Sequence, residues 1–158
     1  MRRLEVRRHA KRDPEVDRLS SQGRHQAQQV GRVYGAPSYD VVFVSPAERA
    51  AETVAWFLRG ASIQLPLTHE VVPGLAGLDA TGGSPEGMAA GLLALLGRVP
   101  EGGIGLAVSH HPLIARGVEG LTGTRPPPFA ECEGVLLTLE GTTLSVTELR
   151  PGPAPTGS

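Results

Sequence analysis

The chain is short of cysteine and of long apolar runs, and each shortage excludes a class of protein. Cys132 is the single cysteine, which rules out an intramolecular disulfide framework and a cysteine-based metal site. No apolar run is long enough to span a bilayer, and five of residues 1–8 are charged, which leaves no apolar core of a signal peptide. We therefore expect a cytoplasmic protein that has no membrane partner.

Lysine and excess charge are scarce as well. Lys11 is the only lysine, and the formal net charge is -1. A near-neutral chain lacks the general positive field that attracts nucleic acids or anionic membranes, so no nucleic-acid partner is expected. The planar fork of arginine matches phosphate oxygens, but a GC-rich genome is the simpler explanation of the arginine total. The functional interpretation is therefore kept for particular arginines.

What the sequence does have is the composition and pattern of one globular α/β domain. Hydrophobic residues make up 40% and charged residues 20% of the 158, which suits a single core. Predicted strands cover residues 3–8, 40–44, 104–108, 134–139 and 143–149, and predicted helices begin near residues 20, 45, 84 and 111. This alternation is typical of a three-layer α/β/α sandwich around a mostly parallel sheet. We expect the domain to cover residues 1–150 and the Pro/Gly/Ser-rich tail, 151–158, to fray.

Polar side chains follow three of the predicted strands. The segments concerned are residues 7–9, 45–49 and 109–112. Ligands of open α/β sheets bind outside the carboxyl ends of the strands. We therefore expect Arg8, His9, Arg49 and His110 to converge at one rim of the sheet, although they are far apart in the sequence.

Phosphoryl transfer is the chemistry that needs this set of residues. A neutral imidazole such as that of His9 can attack phosphorus and form phosphohistidine, which divides one difficult step into two. Arg8, Arg49 and His110 could then hold the non-bridging oxygens without a metal ion. The arginines also lower the pKa of a neighbouring histidine and keep it unprotonated at neutral pH. Ser45 is a candidate N-cap of the helix that begins at Pro46, and the positive end of that helix would lie at the same place.

Four stretches, in this order along the chain, carry motifs. They read Arg-His-Ala at 8–10, Leu-Ser-Ser-Gln-Gly-Arg-His-Gln-Ala at 19–27, Ser-Pro-Ala-Glu-Arg-Ala at 45–50 and Ser-His-His-Pro-Leu at 109–113. They resemble the Arg-His-Gly, Leu-Thr-x-x-Gly-x-x-Gln-Ala, Ser-Pro-x-x-Arg-Ala and His-x-Pro signatures of the histidine phosphatase superfamily, also called phosphoglycerate mutase-like. The third alone is expected by chance in roughly one chain in a thousand of this length. The resemblance extends from the first strand to about residue 149.

The resemblance implies a phosphoglycerate mutase-like fold and assigns roles by matching position. His9 would be the nucleophile, and Arg8, Arg49 and His110 would bind the phosphoryl group, with no metal and no other cofactor. The family's proton donor is an acidic residue after the middle strand, and Glu70 is the candidate for it here.

The chain departs from the family pattern at three positions near these residues, one of which is His111 in the variable position of the His-x-Pro signature. Ala10 replaces a glycine, which is tolerable where the backbone is extended. Glu52 replaces a glutamine and lies one helical turn from Arg49, so an ion pair between them would compete with phosphate.

The short chain leaves little room for the insertions that cover the site in mutases and sugar phosphatases. It looks most like the short bacterial branch, the SixA-type protein-phosphohistidine phosphatases, which the Ser-His-x-Pro-Leu form and the run Pro127-Pro128-Phe129 also resemble. An open site suits a phosphohistidine displayed on a signalling protein. Imidazole is also an easier leaving group than an alkoxide, so a weak proton donor would matter less.

Three alternatives stay open. A phosphatase of small phosphomonoesters, such as nucleotides or sugar phosphates, would use the same mechanism, and a rim capped by the loop 74–83 would favour it. A metal hydrolase on His9, His69 and His110 lacks the usual ligand spacings. A non-catalytic phosphate-binding module is the third, while a mutase would need a site closed to water. We expect a monomer or small homo-oligomer.

Overall fold

A computed structural model describes residues 1–63, 69–76 and 84–150. The predicted tail at 151–158 and most of the predicted loop 74–83 lie outside the described residues. The described elements, in chain order, are β1 (Arg2–Arg8), α1 (Ser21–Tyr34), β2 (Val41–Val44), α2 (Glu48–Gly60), β3 (Glu70–Val71), a 3-10 turn (Pro73–Ala76), α3 (Pro85–Leu96), β4 (Ile104–Ser109), α4 (Leu113–Thr122), β5 (Gly134–Glu140) and β6 (Thr143–Leu149).

The strands form one sheet in the order β3-β2-β4-β1-β5-β6. The first four strands of that order run parallel, and β5 and β6 form an antiparallel hairpin that pairs with β1. All six residues of β4 are buried, as expected of a central parallel strand that is covered on both faces. The predicted α/β fold with a mostly parallel sheet is confirmed.

Two pairs of helices cover the sheet, one pair on each face. α1 packs on α2, and α3 packs on α4. On β1, Leu4 and Val6 belong to the core under α3 and α4, so the alternating residues Glu5 and Arg7 point toward α1 and α2. Serine side chains begin two of the helices: Ser20 accepts the backbone N–H of Gly23 in α1, and Ser84 does the equivalent in α3.

Candidate active site

The carboxyl ends of three neighbouring strands, β2, β4 and β1, bring the predicted site residues to one level. His9 directly follows β1, and its backbone N–H donates to the Ser109 carbonyl at 3.0 Å. Ser45 directly follows β2, and its N–H donates to the Val108 carbonyl at 3.1 Å. His110 follows β4, between the other two. The expected convergence at one rim is therefore what the fold produces, because these strands are adjacent in the sheet though not in the sequence.

The His9 ring has one nitrogen committed to the backbone and one directed at the site. Its Nδ1 lies 2.7 Å from the Ala10 carbonyl oxygen. Because a carbonyl only accepts, Nδ1 carries the proton, and Nε2 of the neutral ring keeps its lone pair. Ala10 is itself fully buried, and its N–H donates to Thr53 Oγ1 at 3.0 Å. The hydrogen bond from Nδ1 thus orients the ring so that Nε2 points into the site, as a nucleophile requires.

Burial, and then the positive charges of Arg49 and Arg8, hold the pKa of His9 below its usual value. The pKa of His110 is lowered to about 4, again by burial first and by Arg49 second. The two rings stand edge to face, with centroids 5.1 Å apart. Both imidazoles are therefore neutral at pH 7 in the free protein.

Arg49, in the first turn of α2, bridges the two histidines. Its Nε donates toward His9 Nε2 at 3.4 Å, and its Nη2 lies 3.2 Å from His110 Nδ1. On the far side, His110 Nε2 lies 2.7 Å from Ser45 Oγ, which also accepts the Ala47 N–H. One edge of the guanidinium therefore faces the space between the rings, where a phosphoryl oxygen would sit.

Arg8 supplies the second positive charge of the site. Its Nη1 donates to the Phe129 carbonyl at 2.7 Å and lies 3.7 Å from a Glu131 oxygen. Its Nε is buried without a hydrogen-bond partner among the described residues. Its charge lowers the pKa of both His9 and His110, so Arg8 acts on the same cluster as Arg49.

Asp17 is a residue of the cluster that the sequence did not reveal. Its Oδ1 accepts from Arg49 Nη1 at 2.8 Å, and its carboxylate also accepts the backbone N–H groups of Glu48 and Arg49 at 3.0 and 3.3 Å. The expected cap of α2, Ser45, is wrong, since the helix begins at Glu48 and takes its cap from this distant loop. Those helix N–H groups therefore point at Asp17 instead of at a phosphate. The contact joins residues about thirty positions apart, which no local pattern reveals.

Glu52 does not compete for Arg49, contrary to expectation. Its carboxylate accepts from the Leu19 N–H and from Arg24 Nη2, the latter at 3.0 Å. The Glu52 side chain therefore reaches Leu19, in the loop after β1, and Arg24 of α1 instead of its own helix. The substitution of glutamate for the family's glutamine therefore leaves Arg49 available.

Glu70 lies on the short edge strand β3, opposite Phe43 and two residues short of the level of Ser45. Both of its oxygens accept from Arg98, at 2.6 and 3.0 Å, and these hydrogen bonds lower the pKa of Glu70. No described hydrogen bond or ion pair joins Glu70 to His9. The structure thus brings together four of the five predicted site residues, and the role of Glu70 stays a prediction.

Two other classes of site are absent from the described segments. Among residues 1–63, 69–76 and 84–150, no three His, Cys, Asp or Glu side chains lie together where they could hold a metal ion, and His69 is exposed. No helix in those same ranges has the length and apolar character needed to cross a bilayer.

Comparison with known proteins identifies a family and several solved structures that share this fold. The model of the histidine phosphatase superfamily (branch 1) matches residues 3–90. The protein histidine phosphatase SixA complexed with tungstate is 25% identical, with a TM-score of 0.70 over 93% of this chain and 96% of that chain. No curated protein matches significantly.

Two further solved structures share the fold at lower identity. A phosphoserine phosphatase mutant from Entamoeba histolytica, in complex with phosphoserine, is 17% identical, with a TM-score of 0.74 over 94% of this chain and 97% of that chain. Phosphoglycerate mutase from Bacillus anthracis is also 17% identical, with a TM-score of 0.72 over 92% and 91%.

Proposed function

Because the chain belongs to the histidine phosphatase superfamily (branch 1) and is a histidine-type phosphatase, we propose that it removes the phosphoryl group from phosphohistidine on a partner protein. His9 is the nucleophile of this proposal, and Arg8, Arg49 and His110 bind the phosphoryl group. The observation that carries it is the single cluster in which His9 Nε2, unprotonated and directed into the site, faces the Arg49 guanidinium and His110.

The reaction follows from this geometry in two steps. In the first, His9 Nε2 forms a bond to phosphorus while the bond from phosphorus to the substrate's imidazole nitrogen breaks, and the departing imidazole takes a proton. In the second, the oxygen of a water molecule bonds to phosphorus as the bond from phosphorus to His9 Nε2 breaks, the water loses a proton to solvent, and inorganic phosphate leaves. The N–H groups of Arg8 and Arg49 stabilise the non-bridging oxygens in both steps, so the proposed mechanism needs no metal.

His110 changes its role as the phosphoryl group arrives. With Nδ1 close to Arg49 Nη2 in the free protein, the neutral ring accepts there. A dianionic phosphoryl group raises the pKa of a neighbouring histidine, so that a proton gained from solvent lets Nδ1 donate to a phosphoryl oxygen. Ser45 Oγ holds the opposite nitrogen of the ring throughout.

The acidic groups near the site favour a substrate with an easy leaving group. Burial opposes the ionisation of Asp17, but hydrogen bonds from Arg49 and Glu48 outweigh it and lower its pKa. Arg98 lowers the pKa of Glu70 as well. Both carboxyls are thus ionised near neutral pH and poorly suited to donate a proton, which an alkoxide needs more than an imidazole does. The likeness to SixA over nearly the whole of both chains supports the same substrate class.

The test is phosphate release, with a chelator present, from a phosphohistidine-bearing protein and from a panel of nucleotide and sugar phosphates. We expect His9→Ala to lower kcat by at least about a thousandfold, since loss of a nucleophile removes the covalent route. Faster turnover of the small phosphomonoesters would change the substrate to that class and keep the mechanism. Equal activity of wild type and His9→Ala, or none in either, would contradict the nucleophile and leave a phosphate-binding module.

A further inference from the structure

Asp17 holds the guanidinium at the centre of the site, and that contact has a consequence for catalysis. We propose that Asp17 is a positioning residue: it orients Arg49 so that the Nε and Nη2 edge faces the space between His9 and His110. The inference rests on the proposed function and adds to it a residue outside the set that contacts the phosphoryl group.

The planar fork of Arg49 explains how a contact at one end controls the other. Nη1 is fixed by Asp17 at 2.8 Å, while Nε and Nη2 lie 3.4 and 3.2 Å from the two imidazoles. Since the guanidinium is rigid, fixing Nη1 also fixes the direction of the opposite edge. Without that anchor a partly exposed arginine regains rotamer freedom, which must be lost again in each catalytic cycle.

Asp17 contacts the backbone at Arg49 as well as the Arg49 guanidinium. Its carboxylate accepts the Arg49 backbone N–H at 3.3 Å and the Glu48 N–H at 3.0 Å. The Asp17 carboxylate therefore fixes both the first turn of α2 and the position of the Arg49 guanidinium. These contacts to both backbone and side chain distinguish the Asp17–Arg49 pair from an ordinary surface ion pair, which leaves the backbone free.

The loop that carries Asp17 is held closely enough to act as an anchor. Arg12 and Leu19 form a bridge across it, and the Asp13 N–H donates to the Arg18 carbonyl at 2.7 Å. At its end, the Leu19 N–H donates to the Glu52 carboxylate. The loop is thus tied to itself and to α2, so that Asp17 and Arg49 keep a fixed separation.

Asp17→Asn is the informative variant because asparagine still caps a helix while it loses the charge that grips the guanidinium. We expect kcat/KM to fall by about 10- to 100-fold, since small misplacements of a catalytic group cost that much. Most of the loss should be in kcat, because the orientation of Arg49 matters most in the transition state, whereas its charge attracts the substrate in any pose. Glu48→Gln removes a charge from the same turn without touching the guanidinium, and it should stay near wild type.

A double-mutant cycle with Arg49→Ala decides whether Asp17 acts through Arg49. In the Arg49→Ala background we expect Asp17→Asn to change kcat/KM by less than about twofold, because nothing is left to orient. An equal loss in both backgrounds would overturn the proposal, as would an Asp17→Asn protein as active as Glu48→Gln. Urea unfolding of each variant shows that a folded protein is being compared.

A readout that needs no activity separates this inference from the proposed function. The Arg49 Nε–H resonance, assigned by its absence from Arg49→Ala, should show restricted motion in the wild type and fast motion in Asp17→Asn. Equal mobility in the two proteins would overturn the positioning role. A wild type that releases no phosphate would contradict the proposed function alone, while the NMR comparison still tests Asp17.

Discussion

Arg7 and Arg8 are neighbours on β1 with opposite surroundings. Arg7 is 4% exposed, and its Nε is bonded to the equally buried Glu5 while its Nη1 donates to the Cys132 carbonyl at 2.8 Å. The other Glu5 oxygen accepts from the Tyr39 hydroxyl at 2.7 Å. Arg8 instead keeps 28% of its side chain exposed and one donor without a described partner.

The difference shows what separates a structural arginine from a functional one. Successive residues of a strand point to opposite faces, so Arg7 reaches the core under α1 and α2, where every charge must be paired. Arg8 reaches the rim, where a donor without a described partner can bind an anion. The two arginines are therefore distinguished by how many of their N–H donors already have hydrogen-bond partners, and not by residue type.

The largest effect that would test this comparison is on stability. We expect Arg7→Ala to lower the free energy of unfolding by about 3–5 kcal/mol, because it leaves Glu5 buried without a counter-charge. Urea unfolding measures it. The double variant Arg7→Met with Glu5→Leu, which removes both charges, should recover much of that loss. A small effect of Arg7→Ala would mean that the pair is not structural.

Arg8→Ala should show the opposite profile. We expect kcat to fall by about 100- to 1000-fold, as for the loss of one donor to a developing negative charge, with little change in unfolding free energy. Steady-state kinetics beside urea unfolding measure both. Full activity, or a loss of stability similar to that of Arg7→Ala, would remove the distinction between the two arginines.

The pH dependence of activity tests the role of the arginines at the rim. Burial and then Arg49 and Arg8 lower the pKa of His9 below the usual 6.5, and the nucleophile must be neutral. Activity should therefore hold at pH 6.5 and fall only at lower pH, as His9 becomes protonated. Replacing Arg49 with Gln removes a positive charge, so the His9 titration, followed by NMR of the ring without substrate, should move to higher pH. A shift to lower pH would contradict the assignment.

The smallest expected effects belong to a third arginine–carboxylate contact, Arg98 with Glu70, which is exposed on both sides. Glu70→Gln should leave the unfolding free energy unchanged within error, because exposed pairs contribute little. It should also slow an alkyl phosphate by less than about threefold, since an ionised carboxyl is a poor acid. Glu101→Gln, at the other end of the sheet, is the matched control. A tenfold loss at Glu70 alone would support its predicted role as the proton donor.

Much of the fold follows from local patterns. The apolar runs of β2 and β4 indicated covered parallel strands, and Ser20 and Ser84 marked helix starts that the structure keeps. The convergence of His9, Arg49 and His110 also followed, because strand ends in such folds share one rim.

The remaining features of the site depend on contacts between distant segments. Ser45 looked like a helix cap by spacing, but its hydroxyl bonds to His110, and Asp17 from another loop takes the capping role. Glu52 likewise turned to Arg24 instead of Arg49. Both contacts depend on which segments pack against α2. Such tertiary packing cannot be read from the spacing of residues along one helix.

The order β2-β4-β1 at the rim also bears on how activity returns after denaturation. His9 and His110 are brought together by the pairing of β1 with β4, whose residues lie about a hundred positions apart in the chain. Such non-local pairing forms late and slowly compared with helices. Recovery of phosphatase activity should therefore lag behind the return of helical circular dichroism, which makes turnover a marker of the completed sheet.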